Sequence, residues 1–192
     1  MNAVDLGLSV LWADMNVDAL SPAEAGGYFA WGETRARKPK YDWNSYRFGV
    51  KGNIGRYNQT DGLTRLQPQD DAATQILGDS WRMPTLAELK ELCIRCTWTW
   101  APAGAVGPLA GYHVAGPNGN SIFLPAAGYH EDYFGDTLKA VNQVLHYWST
   151  DLTTGNFNEA QSLFFNVNGM RGPEFESNGR CDGFSIRPVC PR

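Results

Sequence analysis

The sequence predicts an α+β fold in which two main helices accompany short antiparallel strands and long irregular loops. Its 21 glycines and 12% aromatic residues, with short apolar runs, favour many turns and short strands over a helix bundle. Helices are predicted at residues 68–77 and after Thr85. A length of 192 residues suits one domain, covering residues 1–192.

The stretch at residues 78–96 is the one around which the chain is organised. Thr85 and Glu88 stand three apart, which is the spacing of a capping box. Apolar residues then recur at helical spacing on one face: Leu86, Leu89, Leu92, Cys93 and Cys96. This pattern predicts an amphipathic core helix that begins after Thr85.

The other elements are expected in the following order. Strands are predicted at residues 8–13, 28–31, 97–100, 111–115, 121–125, 146–152, 160–167 and 183–189. A capping box at Ser21 to Glu24 predicts a short helix there, and residues 68–77 predict another that ends at Gly78. Residues 35–59 read as a long surface excursion with small strands.

Charge and hydropathy exclude two classes of partner. The net charge of −4 and the pI near 5.3 give no basic surface for nucleic acid. No apolar run approaches the length of a membrane span, so this segment is not expected to insert into a membrane. No signal peptide precedes Val4, so if the protein is exported, the segment that directs export is expected to lie outside this sequence.

Cysteines and histidines do not form a metal-binding or redox pattern. Cys93 and Cys96 lie at the end of the predicted helix, whereas a reactive pair uses a helix start. Cys181 and Cys190 are too far apart for a second zinc-ligand pair. The histidines at 113, 130 and 146 are scattered. We therefore expect buried free thiols, no metal and no cofactor.

Several motifs resemble one protein family. The segment Trp81-Arg82-Met83-Pro84-Thr85, followed by an acidic, leucine-rich helix, resembles the WRLPT-x-x-E signature of the formylglycine-generating-enzyme branch of the C-type lectin fold. Further matching stretches lie at residues 4–13, 27–34, 96–100, 120–129, 147–149 and 183–190. The chain is also similar to Bacteroidetes-type paralogous surface domains and to the variable proteins of diversity-generating retroelements. The resemblance implies a C-type lectin-like fold.

The catalytic and metal sites of this family are not carried over. Formylglycine-generating enzymes need a close cysteine pair near the C-terminus, a spacing that Cys181 and Cys190 do not reproduce. Calcium-dependent lectins use Glu-Pro-Asn and Trp-Asn-Asp motifs, which are absent. The chain is therefore predicted to be a binding module and not an enzyme. The family pattern leaves a Cys96–Cys190 disulfide as the alternative to free thiols.

The ligand-binding region is expected at residues 147–183, where framework residues alternate with residues that packing does not constrain. In the retroelement variable proteins this C-terminal stretch is the ligand-binding face and is diversified, mainly at asparagine codons. The predicted ligand-binding residues are Trp148, Asp151, Thr153, Asn156, Asn158, Ser162, Phe164, Asn166, Asn168, Arg171, Glu174, Glu176, Asn178, Arg180 and Asp182.

The residues that support the fold are expected to be buried, and the residues that bind the ligand are expected to be exposed. The framework residues Trp81, Trp148, Phe184, Ile186 and Val189 should be largely buried. The charged and amide side chains of the site should point to solvent: Asp151, Asn156, Asn158, Asn166, Asn168, Arg171, Asn178, Arg180 and Asp182.

Two functions remain open. The first is a ligand- or receptor-binding protein of the retroelement type, on a cell surface, secreted or on a phage tail, whose partner is a protein or glycan. The second is a structural or adhesin-like surface domain that is not diversified, and Glu174 and Glu176 favour it because they are not typical outcomes of asparagine-codon mutagenesis.

Overall fold

The computed structural model describes residues 1–36, 40–131, 137–168 and 172–192. The strands are β1 (Ala3–Val4), β2 (Leu11–Ala13), β3 (Gly49–Val50), β4 (Asn53–Ile54), β5 (Thr97–Ala101), β6 (Gly111–Ala115), β7 (Ser121–Pro125), β8 (Val144–Leu152), β9 (Glu159–Asn166), β10 (Glu174–Gly179) and β11 (Val189–Cys190). The helices are α1 (Ala72–Leu77) and α2 (Leu86–Arg95), and a 3₁₀ turn at Pro68–Asp70 precedes α1.

The predicted α+β class, with two main helices and a C-type lectin-like fold, is wrong. The described residues form a mostly β structure of four small antiparallel sheets, with strand orders β1-β2-β11, β3-β4, β5-β6-β7 and β8-β9-β10. Helix α1 has six residues and α2 has ten. The helix-start signals are real, but the helices that follow them are short, so strand pairing dominates the architecture.

Local patterns predicted several elements correctly. Thr85 caps α2 through both halves of the capping box, with Thr85 Oγ1 accepting from the Glu88 amide at 3.2 Å and Glu88 Oε2 accepting from the Thr85 amide at 2.7 Å. The helix expected over residues 68–77 forms only from Ala72 onward, after the 3₁₀ turn, and Asp71 caps it by accepting from the Thr74 amide at 3.0 Å. The β6–β7 hairpin turns at Gly119, whose φ is +87°, a backbone conformation that glycine adopts without strain.

Three expected elements differ. Ser21 to Glu24 form a turn and no helix: the Glu24 amide donates to the Ser21 carbonyl, and its carboxylate turns back to the Leu20 amide at 3.0 Å. Gly26 then takes a positive φ of 70° and ends the turn. The strand expected at 28–31 is a single bridge between Phe29 and Phe184, and the one at 183–189 is reduced to bridges and β11.

Two apolar clusters form the core. The first lies between α2, β2 and β11, the β5-β6-β7 sheet and one face of the β8-β9-β10 sheet, with Leu89, Leu92 and Leu163 at its centre. The second lies under the other face and contains Trp31, Trp148, Phe184 and Ile186. Trp148 stacks on Phe184 with ring centroids 4.2 Å apart. The expected burial of Trp148, Phe184, Ile186 and Val189 is confirmed, whereas Trp81 is only half-buried.

All four cysteines are free thiols, so the Cys96–Cys190 alternative is wrong. Burial raises the pKa of Cys93 to about 12, with the neighbouring Cys96 adding to the shift. Burial also raises the pKa of Cys96 to about 11 and raises the pKa of Cys190. These three thiols are therefore protonated at neutral pH and behave as small apolar side chains. In the described residues no helix is both long enough and apolar enough to cross a bilayer.

Helix α2 supplies the first testable prediction. Leu89 is 1% exposed, so Leu89→Ala should lower the free energy of unfolding by about 2–5 kcal/mol through lost burial and a residual cavity. Thr85→Ala should lower it by about 1 kcal/mol through the lost cap. Denaturant unfolding measures both changes. Ile94→Ala is the matched control on the same helix, since Ile94 is 80% exposed and should change stability by less than about 0.5 kcal/mol.

Candidate functional site

The β8-β9-β10 sheet divides the predicted binding residues between its two faces. Leu163 and Phe165 on β9 face the first core, whereas Ser162, Phe164 and Asn166 face the other way. The register places Glu174 opposite Phe164, and Glu176 opposite Ser162. β10 itself, expected as loop, brings these carboxylates onto the same face as the β9 residues.

The half-exposed residues of this second face form what we call the polar face. It comprises Phe164 and Asn166 on β9, and Glu174, Glu176 and Asn178 on β10. All five were predicted as binding residues, and strand pairing brings them together. The structure therefore gathers one third of the predicted site into one continuous patch.

A buried hydrogen-bonded cluster lies beneath the polar face. His146 on β8 is opposite Phe164, and its Nε2 lies 3.0 Å from Ser162 Oγ. Asn178 Nδ2 donates to Ser162 Oγ at 2.9 Å and lies 3.3 Å from His146 Nε2. Ser162 is fully buried, so its predicted contact with a ligand is replaced by a structural role.

His146 is held as a neutral imidazole. Its ring stacks on Phe184 with centroids 3.6 Å apart and meets the edges of the Tyr129 and Phe164 rings. Complete burial lowers the pKa of His146 to about 3, because the charged form loses its hydration there. Its Nδ1 has no hydrogen-bond partner among the described residues. Such a group is too weak a base to activate Ser162 at neutral pH.

The polar face carries negative charge. Burial raises the pKa of Glu176, the neighbouring Glu174 raises it further, and a hydrogen bond from Asn178 acts in the opposite direction. Burial also raises the pKa of Tyr129, with Glu131, Glu176 and Asp182 contributing. Tyr129, which is half-exposed, thus borders the carboxylates of the polar face. The polar face itself combines the Phe164 ring with acidic and amide groups.

Arg180 is the largest departure from the predicted site. Its expected solvent exposure is wrong: the side chain is 0% exposed and burial lowers its pKa. The guanidinium carbon lies 4.8 Å from the Trp31 ring centroid, and 5.4, 5.6 and 5.8 Å from the centroids of Tyr46, Phe48 and Tyr57. An aromatic cage therefore encloses a charge that the sequence alone places in a loop.

The guanidinium also donates four hydrogen bonds. Nε donates to Tyr46 Oη at 2.9 Å, and Nη1 donates to the carbonyls of Tyr57 and Phe157 at 3.2 and 3.0 Å. Nη2 donates to the Arg56 carbonyl at 3.1 Å. Arg180 thus joins three segments of the chain and is a framework residue.

Other predicted residues also have structural partners. Trp148 is fully buried and its Nε1 donates to the Phe29 carbonyl at 2.7 Å. Asp151 Oδ2 accepts from the Leu86 amide at the start of α2, and Oδ1 pairs with Arg65 at 2.8 Å. Both of its oxygens are therefore engaged. The contact with the Leu86 amide also places a negative charge at the positive end of the α2 dipole, which stabilises the helix.

The remaining predicted residues lie around this sheet. Thr153 Oγ1 accepts from Gln161 Nε2 at 2.9 Å, and Asp182 lies half-buried in the turn after β10. Asn168 is exposed just after β9. Arg171 lies outside the described residues.

Asn156 and Asn158 belong to a separate cavity of about 350 Å³, which we call the amide pocket. Its lining residues come from the β3–β4 hairpin, the following loop and the β8–β9 turn: Gly52, Asn53, Ile54, Asn58, Gln59, Thr60, Gly155, Asn156, Phe157 and Asn158. Sequence reasoning missed the side of it formed by residues 52–60. Residues 58–60 match the Asn-x-Thr glycosylation pattern, which predicts a surface position but no pocket.

The described residues contain no group of three or more His, Cys, Asp or Glu side chains placed to hold a metal ion. Comparison of the chain with protein-family models, with curated proteins and with solved structures found no match. The family resemblance of the motifs therefore stays a prediction.

The second prediction concerns Arg180. Arg180→Met leaves the carbonyls of Arg56, Tyr57 and Phe157 without their buried donor, so the free energy of unfolding should fall by about 3 kcal/mol or more. Urea unfolding measures the change. Arg95→Met, at an exposed position, is the control and should stay within about 0.5 kcal/mol of the parent. An equal effect of the two variants would contradict the assignment.

The third prediction follows from the low pKa of His146. Between its unfolded value near 6.5 and its folded value of about 3, the unfolded state binds more protons, so stability contributed by neutral His146 is lost as pH falls through this window. From pH 6.5 to 4.5 this loss amounts to about 2.5 kcal/mol.

His146→Gln removes this contribution, so its stability should fall less steeply with pH than that of the parent. Urea unfolding at a series of pH values between 4 and 7 measures the two slopes. His113→Gln, at an exposed position of β6, is the matched control for the substitution itself. Identical slopes for the parent and His146→Gln would contradict the burial of a neutral imidazole.

Proposed function

We propose that the chain is a ligand- or receptor-binding protein that recognises a protein or glycan through the polar face. One observation carries this proposal: half-exposed aromatic, amide and acidic side chains stand in register on two adjacent strands above a buried, hydrogen-bonded floor. A rigid floor fixes the exposed side chains before a partner arrives, so binding loses less conformational entropy.

The chemistry of the polar face matches that of a protein-binding surface. Aromatic side chains often supply much of the binding energy at the centre of interfaces. Phe164 on the polar face and Tyr129 at its border are both half-exposed, and both rings contact the ring of His146. Glu174 and Glu176 surround them with negative charge. A partner with basic or hydrogen-bonding groups is complementary to this arrangement.

Folding and recognition rest on different residues of the same strands. The side of β9 that faces the core holds Leu163 at 0% exposure, and the buried floor uses His146 and Ser162. Phe164, Glu174 and Glu176 are only half-buried. Replacing them removes less burial than replacing Leu163, so these side chains can vary at a smaller cost to the fold.

This separation supports a variable protein of a diversity-generating retroelement as the first form of the proposal. Asparagines at 156, 158, 166, 168 and 178 all lie in the region expected to vary. A reverse-transcriptase gene beside a near-copy of the 3′ coding end is the expected gene neighbourhood. Its absence, with an invariant 3′ end across isolates, would leave the second form.

The second form is an adhesin-like surface domain with a fixed binding face. Glu174 and Glu176 favour it, because two glutamates on one strand face are not typical outcomes of asparagine-codon mutagenesis. In both forms the protein is proposed to act on a cell surface, as a secreted protein or on a phage virion, and without catalysis. The burial of Ser162 against a neutral His146 supports the view that this hydroxyl is not a nucleophile.

The fourth prediction tests the polar face. The triple variant Phe164→Ser, Glu174→Ser and Glu176→Ser should lose binding by about 30-fold or more to a partner found on an array of surface proteins and glycans. Its fold should persist, as seen by a cooperative urea transition. Thr97→Ser with Thr99→Ser, at exposed positions of β5, is the matched control and should bind like the parent. Undiminished binding by the folded triple variant would contradict the proposal.

A further inference from the structure

We propose that the amide pocket is a second binding site, specific for a neutral saccharide. This inference goes beyond the proposed function, because the pocket shares no residue with the polar face and uses different chemistry. Its volume of about 350 Å³ falls within the range of small-molecule sites, roughly 300–1,000 Å³.

The lining residues define the class of ligand. Five side-chain amides line the cavity, together with the hydroxyl of Thr60 and the half-buried ring of Phe157, and no Lys, Arg, His, Asp or Glu is among them. Each amide offers both a donor and an acceptor, which is the pairing that a sugar hydroxyl requires. A charged ligand would find no counter-charge on these walls, and an apolar ligand would leave the amides unpaired.

Some of these amides are fixed by the protein and others are available. Asn58 Nδ2 donates to the Ile54 carbonyl at 2.6 Å, and Asn158 Oδ1 accepts from the Gly52 amide at 2.6 Å. The side chains of Asn53 and Gln59 are exposed and make no hydrogen bond within the described residues. The Asn156 Nδ2 group is likewise available, because only its Oδ1 is used, by Asn158.

The two sides of the pocket are tied together from below. Arg180 donates to the Arg56 and Tyr57 carbonyls, just before Asn58 on one side, and to the Phe157 carbonyl on the other. The Asn158–Gly52 hydrogen bond links the same two sides near the rim. The cavity is therefore held open by a buried charge and its width is preset, which lowers the entropic cost of binding.

The phenylalanine gives the site an apolar contact. Phe157 lies between Asn156 and Asn158 and packs partly against the second core cluster. Sugar rings present C–H groups on one face and hydroxyls at the edge, so an aromatic ring beside several amides matches both parts of the molecule. The combination distinguishes a saccharide from urea-like or purely hydrophilic solutes.

The test uses a panel of monosaccharides and the ¹⁵N-labelled protein. D-glucose, D-galactose, D-mannose, L-fucose and N-acetylglucosamine are titrated while amide resonances are recorded, with glucuronate and glucosamine as charged counterparts. At least one neutral sugar should shift resonances of residues 52–60 and 155–158 in a saturable manner, and the charged counterparts should bind more weakly. Absence of saturable shifts with every neutral sugar, or equal binding of the charged ones, would overturn the proposal.

Variants locate the binding. Asn53→Leu with Gln59→Leu should weaken the affinity about tenfold or more, since two available amides are lost. Asn156→Asp is nearly isosteric and keeps the acceptor for Asn158, so it tests the donor without disturbing the fold and should weaken binding as well. Asn44→Leu, at an exposed position elsewhere, is the control and should bind as the parent does. Unchanged affinity in both pocket variants would contradict the site.

The proposals for the polar face and for the amide pocket can be tested independently of each other. The triple variant of the polar face should retain its monosaccharide affinity, because none of its three positions lines the pocket. Loss of sugar binding in that variant would place the saccharide on the polar face and overturn the pocket assignment. Retained macromolecular binding in Asn156→Asp would leave the proposed function unaffected.

Discussion

The burial of the Arg180 guanidinium is the interaction on which the binding half of the molecule depends. It brings Tyr46, Arg56 to Tyr57 and Phe157 to one point, and these residues are far apart in the sequence. Removing this charge from water is costly, and the surrounding rings and carbonyls offset that cost only when all are in place. The long excursion at residues 40–60 therefore has a defined course even though it contains only two two-residue strands.

The elements that the sequence predicted correctly are those set by neighbouring residues. The cap of α2 needs Thr85 and Glu88, and the β6–β7 hairpin needs Asn118 and Gly119. The fold class was wrong because it depends on how many residues pair across sheets. β10 was missed since its outward residues are charged and its identity as a strand is settled by pairing with β9.

The candidate site was predicted in outline and corrected in detail. The alternation along residues 162–168 predicts Ser162, Phe164, Asn166 and Asn168 on one face of a strand. The structure has the first three on one face of β9, whereas Asn168 lies beyond its end. Alternation cannot show how deeply a residue lies, and Ser162 is buried. Arg180 read as a loop cation because its aromatic partners at 31, 46, 48 and 57 precede it by more than 120 residues.

Both faces of β9 pack against other parts of the protein, and this restricts which changes of sequence the strand can accept in evolution. Inserting or deleting a single residue inside the strand would exchange Leu163 and Phe165 with Ser162 and Phe164, and would present polar groups to one core. New specificities on this sheet must therefore arise by replacement at constant length. The β8–β9 turn is under no such alternation, and its exposed residues Thr154 and Gly155 precede the Phe157 carbonyl that accepts from Arg180. Gains and losses of codons can be accommodated at these two positions at the expense of the pocket.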